Sequence, residues 1–331
     1  MHNDRVILGG TSTPEQNSYA ISFRWLLRIY AVIPVILFVV AVDQLFMSGV
    51  LRSTLPSFPD QVALYAFLFN FPHILASFFP FMSKSVLVQY RKRLTVGSLL
   101  IIGIFFPLLA YDASIAYIAI SIWTVLHVIF QQTGLALMFM RAPSHYYHYW
   151  KWVGGLLGCY IYIQIYPSVF FSKLILYENI VLGLGVLVIC VCTLLLMRDS
   201  TTKEGRQYVA ATGVMFVSVA GLFYVGYPLF AILVPRIVHD VTAFTFYITH
   251  GLNASSKKFS DSLFRVWHVP TLFVPIIIVC GSILLAHILT SGMVGKLTIS
   301  IVIFLSLLHY YLDAFAWKKG SALRENIAFQ A

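Results

Sequence analysis

His309 and Asp313 stand four residues apart in the last long apolar stretch of the chain, Leu307-Leu308-His309-Tyr310-Tyr311-Leu312-Asp313-Ala314-Phe315-Ala316-Trp317-Lys318. Four residues is just over one helical turn, so an imidazole and a carboxylate share one face of an otherwise apolar helix. His73, His127 and either His239 or His250 recur in similar surroundings, and each set has polar companions at close spacing. Asn70 precedes His73 by three, Gln131 follows His127 by four, Asp240 adjoins His239, and Arg236 lies four before Asp240. Neutral imidazole is the commonest side-chain ligand for iron, copper and zinc, and a carboxylate or amide is the group that usually orients it.

The expected chemistry is therefore a metal centre. His73, His127, His309 and one of His239 and His250 supply ligands, Asp313 and Asp240 act as catalytic or ligand-orienting carboxylates, and Arg236, Gln131 and Asn70 contact substrate. Histidine with carboxylate suits non-haem iron that activates oxygen. A bis-histidine haem, copper and zinc are the alternatives, although a structural zinc site would more often use thiolates. Cys159, Cys190, Cys192 and Cys280 all lie in apolar runs with no CxxC spacing, and read as small apolar side chains.

These groups need elements to hold them, and composition says which kind. Of the 331 residues 60% are hydrophobic and only 10% charged, against about a quarter charged in a soluble domain. Apolar runs of roughly 20 residues, each able to cross a hydrocarbon core about 30 Å thick, recur from Trp25 to Trp317. Ten such runs give an all-α, polytopic membrane bundle with residues 1–24 as an N-terminal segment, 25–317 as a single transmembrane domain and 318–331 as a tail. The polar segment Met1 to Asn17 has no short apolar core of a cleaved signal.

In chain order the expected helices cover about Trp25–Val50, Gln61–Met82, Leu94–Ala110, a fourth ending near Met140, a fifth reaching Phe171, a sixth ending at Met197, a seventh starting near Tyr208, an eighth ending near Asn253, a ninth over Trp267–Leu289 and a tenth ending at Trp317. Lys84 to Arg93 and Arg141 to Lys151 read as connections. The start of the eighth helix has two solutions, near Pro228 or at Arg236. The first places His239 in mid-membrane and His250 at the edge; the second places His250 in mid-membrane.

The formal charge of +10 is not a nucleic-acid footprint, because the basic residues sit in the gaps between apolar runs. With both termini in the cytoplasm, all but four of the 22 Lys and Arg fall on the inner side. The four are Arg52, Lys173, Lys296 and Arg236, the last at the outer boundary. The second, fourth, eighth and tenth helices then run inward. His73, His127 and His309 lie roughly 18 to 20 Å from the outer helix ends, at one level of the membrane. Ionisable groups at that depth cost several kcal/mol unless they meet partners, so a layer of them points to function.

An oxidant in the membrane implies a substrate that partitions there: an acyl chain, an isoprenoid or a quinone. In general design the chain resembles the histidine-rich polytopic oxygenases, including the Brp/Blh carotenoid-cleaving family, in length and in having histidines on several membrane helices. The resemblance implies an oxygenase class and no particular substrate; the HxxxH and HxxHH boxes of membrane desaturases and hydroxylases are absent from the sequence. The alternative is a proton-coupled transporter or channel that uses the same layer as a relay, for which no inverted repeat is visible. Asp43 is expected to pair with Arg236, the alternative being that Arg236 anchors an anionic substrate head group, and His145 and His148 to sit in an aromatic interfacial belt. The inner membrane of a bacterium is the expected location.

Overall fold

The computed structural model describes residues 19–57, 61–142, 144–165, 178–255, 261–291, 296–318, 320–325 and 327–330. They are almost wholly helical. Seven helices among them are long and apolar enough to cross a membrane, which makes the chain a multi-pass integral membrane protein. Hydropathy dictates this: in hydrocarbon every backbone amide must be bonded within its own segment, and a helix does that at any length.

The described residues form two compact units. One gathers those of 1–26, 63–111 and 240–331; the other gathers 27–62 and 112–239. Helix α9, Pro228–Ser255, contributes its N-terminal half to the second unit and its C-terminal half to the first.

In the first unit, helix α3 (Phe71–Ala76) packs against α10 (Val274–Ser291) and α11 (Lys296–Ala316). Phe71, Ile74 and Leu75 meet Ala286, while Ala76 joins Ala243, Tyr247, Phe264, Val274 and Ile278 in a continuous buried cluster. Helix α4 (Lys84–Leu100) runs beside α11, and Gly97 lets the Tyr311 ring lie where a Cβ would come within 2.6 Å of it. Strand β1 (Ala20–Ser22) pairs in parallel with β2 (Ala328–Gln330), Ile21 opposite Phe329. The tail is thus not a loose extension: Arg324 also lies over the Phe329 ring, 4.4 Å from its centre.

In the second unit, α5 (Ala113–Met140), α6 (His145–Ile165), α7 (Glu178–Asp199) and α8 (Lys203–Tyr224) pack as a bundle, and α2 (Val32–Phe46) lies against α8. Asp112 caps α5 through the Ser114 and Ile115 amides, and Thr202 caps α8 through the Gly205 amide. The Tyr30 and Tyr208 hydroxyls both donate to Gln132 Oε1 at 3.0 Å, and Tyr30 also meets the Thr212 hydroxyl at 2.9 Å. All four residues are buried, so this network ties α5 and α8 to the segment entering α2.

Several sequence expectations change. The second apolar run is not one helix: Ala63–Tyr65 passes through a π-helical turn, Ala66–Asn70, into α3 and then a 3-10 turn, Phe79–Met82. Pro72 and Pro80 lack the amide protons that a regular ladder needs. Lys84 to Arg93 is helix rather than connection, because Lys and Arg favour helix and no Gly or Pro interrupts them before Gly97. The same holds for His145 to Lys151, which opens α6. The ninth run starts its regular helix at Val274, after a turn in which His268 adopts φ +52°. The expected end of the fifth helix at Phe171 and the basic pair Lys257-Lys258 lie outside the described residues.

Asp43 does not pair with Arg236. Its carboxylate accepts the Leu51 and Arg52 amides at 2.9 and 3.2 Å and the Tyr227 hydroxyl at 2.7 Å. It holds the short helix Val50–Thr54 against the end of α2, with Gly49 at φ +77° making the turn. Backbone amides eight and nine residues away win because they are delivered by the turn itself, at little entropic cost.

Candidate metal-ligand sites

The two solutions for α9 are decided at its start. Gly226 at φ +85° reverses the chain and Pro228 begins the helix, where a residue without an amide proton costs nothing. Pro235 and Arg236 lie within it. His239 is therefore eleven residues into a 28-residue helix, and His250 is close to its far end.

In the first unit the structure brings His73 and His309 together. Their rings meet edge to face, 5.3 Å between centres, and both side chains are buried. A ligand nitrogen of each lies within 4.8 Å of the other, and His309 has the same relation to an Asp313 oxygen.

The π-helical turn positions His73. It shifts the register ahead of Pro72, and His73 Nδ1 comes to 3.0 Å from the Phe69 carbonyl and 3.3 Å from Asp240 Oδ1. Both are acceptors, so Nδ1 carries the proton and Nε2 keeps the lone pair. Asp240 is held in turn by the Tyr65 hydroxyl, which donates to Oδ2 at 2.8 Å. Tyr65, Asp240 and His73 thus stand in series, a hydrogen bond from Tyr65 fixing Asp240 and the carboxylate lying in ion-pair range of His73, whose Nδ1 is hydrogen-bonded to the Phe69 carbonyl.

Asp313 lies 3.8 Å from His309 Nδ1, beyond hydrogen-bond length. Its Oδ1 accepts the Trp317 indole N–H at 3.1 Å and its Oδ2 the Tyr247 hydroxyl at 3.4 Å. The i,i+4 spacing that put Asp313 beside His309 also puts Trp317 beside Asp313, and the indole takes the closer contact.

In the second unit His127 and His239 come together, ring centres 4.9 Å apart and edge to face. Helices α5 and α9 carry them. His127 is half-buried and His239 almost fully buried. Within each unit, then, two of the imidazoles expected from sequence meet edge to face. His250 joins neither pair: it is buried at the end of α9 with its ring 6.5 Å from Trp317.

Asn70 occupies the last position of the π-helical turn, half-buried, and the contacts named above at His73 Nδ1 come from Phe69 and Asp240. Gln131 is half-buried on α5, whereas its neighbour Gln132 takes part in the tyrosine network. Arg236 donates to the Tyr162 hydroxyl at 3.1 Å and lines an apolar cavity. Tyr65, Tyr247 and Trp317 escaped the sequence reading. Trp317 could have been found from its spacing to Asp313; nothing local marks Tyr65 or Tyr247, whose partners are far away in the chain.

The four cysteines are free thiols. Against models of protein families, curated protein sequences and solved structures, the chain finds no match.

Proposed function

We propose that the chain is a membrane-embedded, metal-dependent oxidoreductase that acts on a lipid-soluble substrate such as an acyl chain or isoprenoid, with non-haem iron as the metal. The observation that carries this is the Tyr65–Asp240–His73 series. A carboxylate that holds Nδ1–H and leaves Nε2 as the donor is the support that metal-bound histidines characteristically have. A core histidine with a structural role would need no tyrosine to orient its acceptor. Beside it, His309 brings a second imidazole to within 4.8 Å, close to the ~4 Å that two nitrogens about 2.1 Å from one ion can span. Edge-to-face rings at 5.3 and 4.9 Å leave no slot for a planar macrocycle between them, which favours a bare ion over haem. Nitrogen and oxygen donors favour iron over a thiolate-type zinc site.

Bound iron would supply oxygen activation. The protein's own residues then have separate tasks. Asp240 fixes the tautomer and ring plane of His73. Asp313, held by Trp317 and Tyr247, places a carboxylate beside His309, and His127 and His239 provide a second pair of donors. Apolar helices around both pairs keep bulk water away.

We propose ten crossings with both ends cytoplasmic, as in a bacterial inner membrane. Besides the seven helices of full span length, the shorter apolar helices Leu68–Met82 and Ser300–Ala316, with the 21-residue helix His145–Ile165, which is long enough to span but less apolar, would make up that number. Pairing of β1 with β2 supports it, since segments that share a sheet lie on one side and an even number of crossings must separate them. The excess of Lys and Arg in the inner connections supports a cytoplasmic side.

The test is elemental analysis of protein purified in detergent after expression with ample iron, copper and zinc. Iron near stoichiometry is expected, falling sharply in His73→Ala with His309→Ala. Folded protein with none of the three metals overturns the proposal, and a Soret absorption band replaces iron ions by haem.

A further inference from the structure

Gly154 and Gly158 stand four residues apart on α6, so one face of that helix lacks side chains at two successive turns. Phe216 of α8 and Ile129 of α5 close on it so tightly that an added Cβ would come within 2.9 Å of the first and 2.6 Å of the second. They do not fill the space beside them. A cavity of about 50 Å³ is left in the second unit between α5, α6, α8 and α9, lined by Val128, Leu157, Ile161 and Val219 among others. Its wall is apolar almost throughout. Polar groups on the lining residues are engaged with protein: Thr124 donates to the Ile120 carbonyl at 2.9 Å and Arg236 to the Tyr162 hydroxyl at 3.1 Å.

A water in an apolar cavity lacks the two to four polar partners it needs, and a charged ligand would lose its hydration without replacement. Size narrows the choice further. The cavity matches less than two waters' share of liquid volume, ~30 Å³ each, and is a fraction of the ~150 Å³ that accepts benzene, so an atom or a diatomic molecule fits it. We propose that it is a holding site for dioxygen. Dioxygen is apolar and more soluble in hydrocarbon than in water, so it arrives through the membrane and makes the dispersion contacts that an empty cavity forfeits. Size and polarity alone would admit any such gas; the choice of dioxygen rests on the oxidoreductase reading above. Lining residues Thr124 and Arg236 each stand three positions before a histidine, His127 and His239, on the same helices. That is about 4.5 Å along each axis, within one helical turn of the imidazole pair.

The probes are xenon and dioxygen, each applied under pressure to the full chain in lipid nanodiscs with its Ile, Leu and Val methyl groups labelled for NMR. Xenon should shift the methyl signals of Val128, Leu157 and Ile161 with saturation, whereas Leu184 and Leu194, exposed on α7, should respond only in proportion to pressure. Dioxygen is paramagnetic, so against nitrogen gas at equal pressure it should speed relaxation of the cavity methyls severalfold more than that of Leu184 and Leu194. Ala231→Leu, which fills the cavity, should abolish the saturable xenon response, and Leu157→Ala, which enlarges it, should strengthen that response. Melting temperature and size-exclusion profile show whether each variant is folded; should Ala231→Leu fail to fold, the unaltered chain and Leu157→Ala decide. A xenon response that never saturates, or oxygen relaxation no greater in the cavity than at the exposed leucines, would overturn the proposal. Iron is measured on the same samples: iron bound without a saturable gas response counts only against the gas site, and a gas response in folded protein that takes up no metal counts only against the oxidoreductase.

Discussion

His73 Nδ1 lies 3.3 Å from Asp240 Oδ1, and the other oxygen of that carboxylate takes the Tyr65 hydroxyl at 2.8 Å. Two buried residues from distant parts of the chain are locked in one orientation by a third. Removing the carboxylate should therefore be felt at the imidazole. Asp240→Asn is expected to lower metal affinity by about 10–100-fold with a smaller effect from Tyr65→Phe. Competition with a chelator of known affinity measures both, and unchanged affinity in Asp240→Asn would remove the supporting role assigned to that side chain.

Trp317 and Tyr247 converge on Asp313 at 3.1 and 3.4 Å. Trp317→Phe keeps the aromatic packing but loses the N–H, freeing Asp313 to rotate towards His309. Metal binding should survive in this variant while turnover changes, if a substrate is in hand; the spectroscopic signature of the bound metal should shift as its carboxylate environment alters. An identical spectrum would assign Trp317 to packing alone.

The pairing of Ser22 with Gln330 in β1 and β2 places two distant segments side by side. In a background without native cysteines, Ser22→Cys and Gln330→Cys should react with a membrane-impermeant maleimide from the same side of sealed vesicles. Labelling from opposite sides would require an odd number of crossings and exclude ten.

Gly205 sits where an added Cβ would come within 2.6 Å of Met140 Cα and 2.8 Å of Met140 N. Backbone cannot yield as a side-chain tip can. Gly205→Ala should destabilise by about 1–3 kcal/mol, seen as a lower melting temperature in detergent. An unchanged melting temperature would show that α5 and α8 separate easily at this end.

Asp261 lies outside the spans. Burial alone would raise its pKa, but the Ser85 amide and the Ser85 and Ser83 hydroxyls outweigh this and hold it below the ordinary carboxylate value. A carboxyl whose folded pKa is depressed contributes stability above its unfolded value, about 3.9, and loses it as pH falls through the lower folded value. The N-terminal turn of α4 should be firm at neutral pH and loosen only in strong acid, while Asp261→Asn should loosen it at neutral pH. Hydrogen exchange of the first amides of α4, corrected for intrinsic rates, measures this.

Composition and hydropathy determined by themselves that the chain is a helical membrane protein, since a segment of some twenty apolar residues has no other stable state in hydrocarbon. They also picked out the residues that do not belong there: His73, His127, His239, His309, Asp240 and Asp313. Spacing reaches only one turn along a helix, so it paired Asp313 with His309 and Asn70 with His73. Which residue faces another across helices depends on how each helix is rotated about its axis and shifted along it, and that is set by packing. The tertiary structure alone therefore decided that Asp240 lies beside His73, that Tyr65, 175 residues away from Asp240, fixes the carboxylate, and that His73 meets His309 and His127 meets His239. The start of α9 at Pro228 was likewise undecided in the sequence, where two prolines stood as rival breaks; the positive φ at Gly226 settled which one ended the turn.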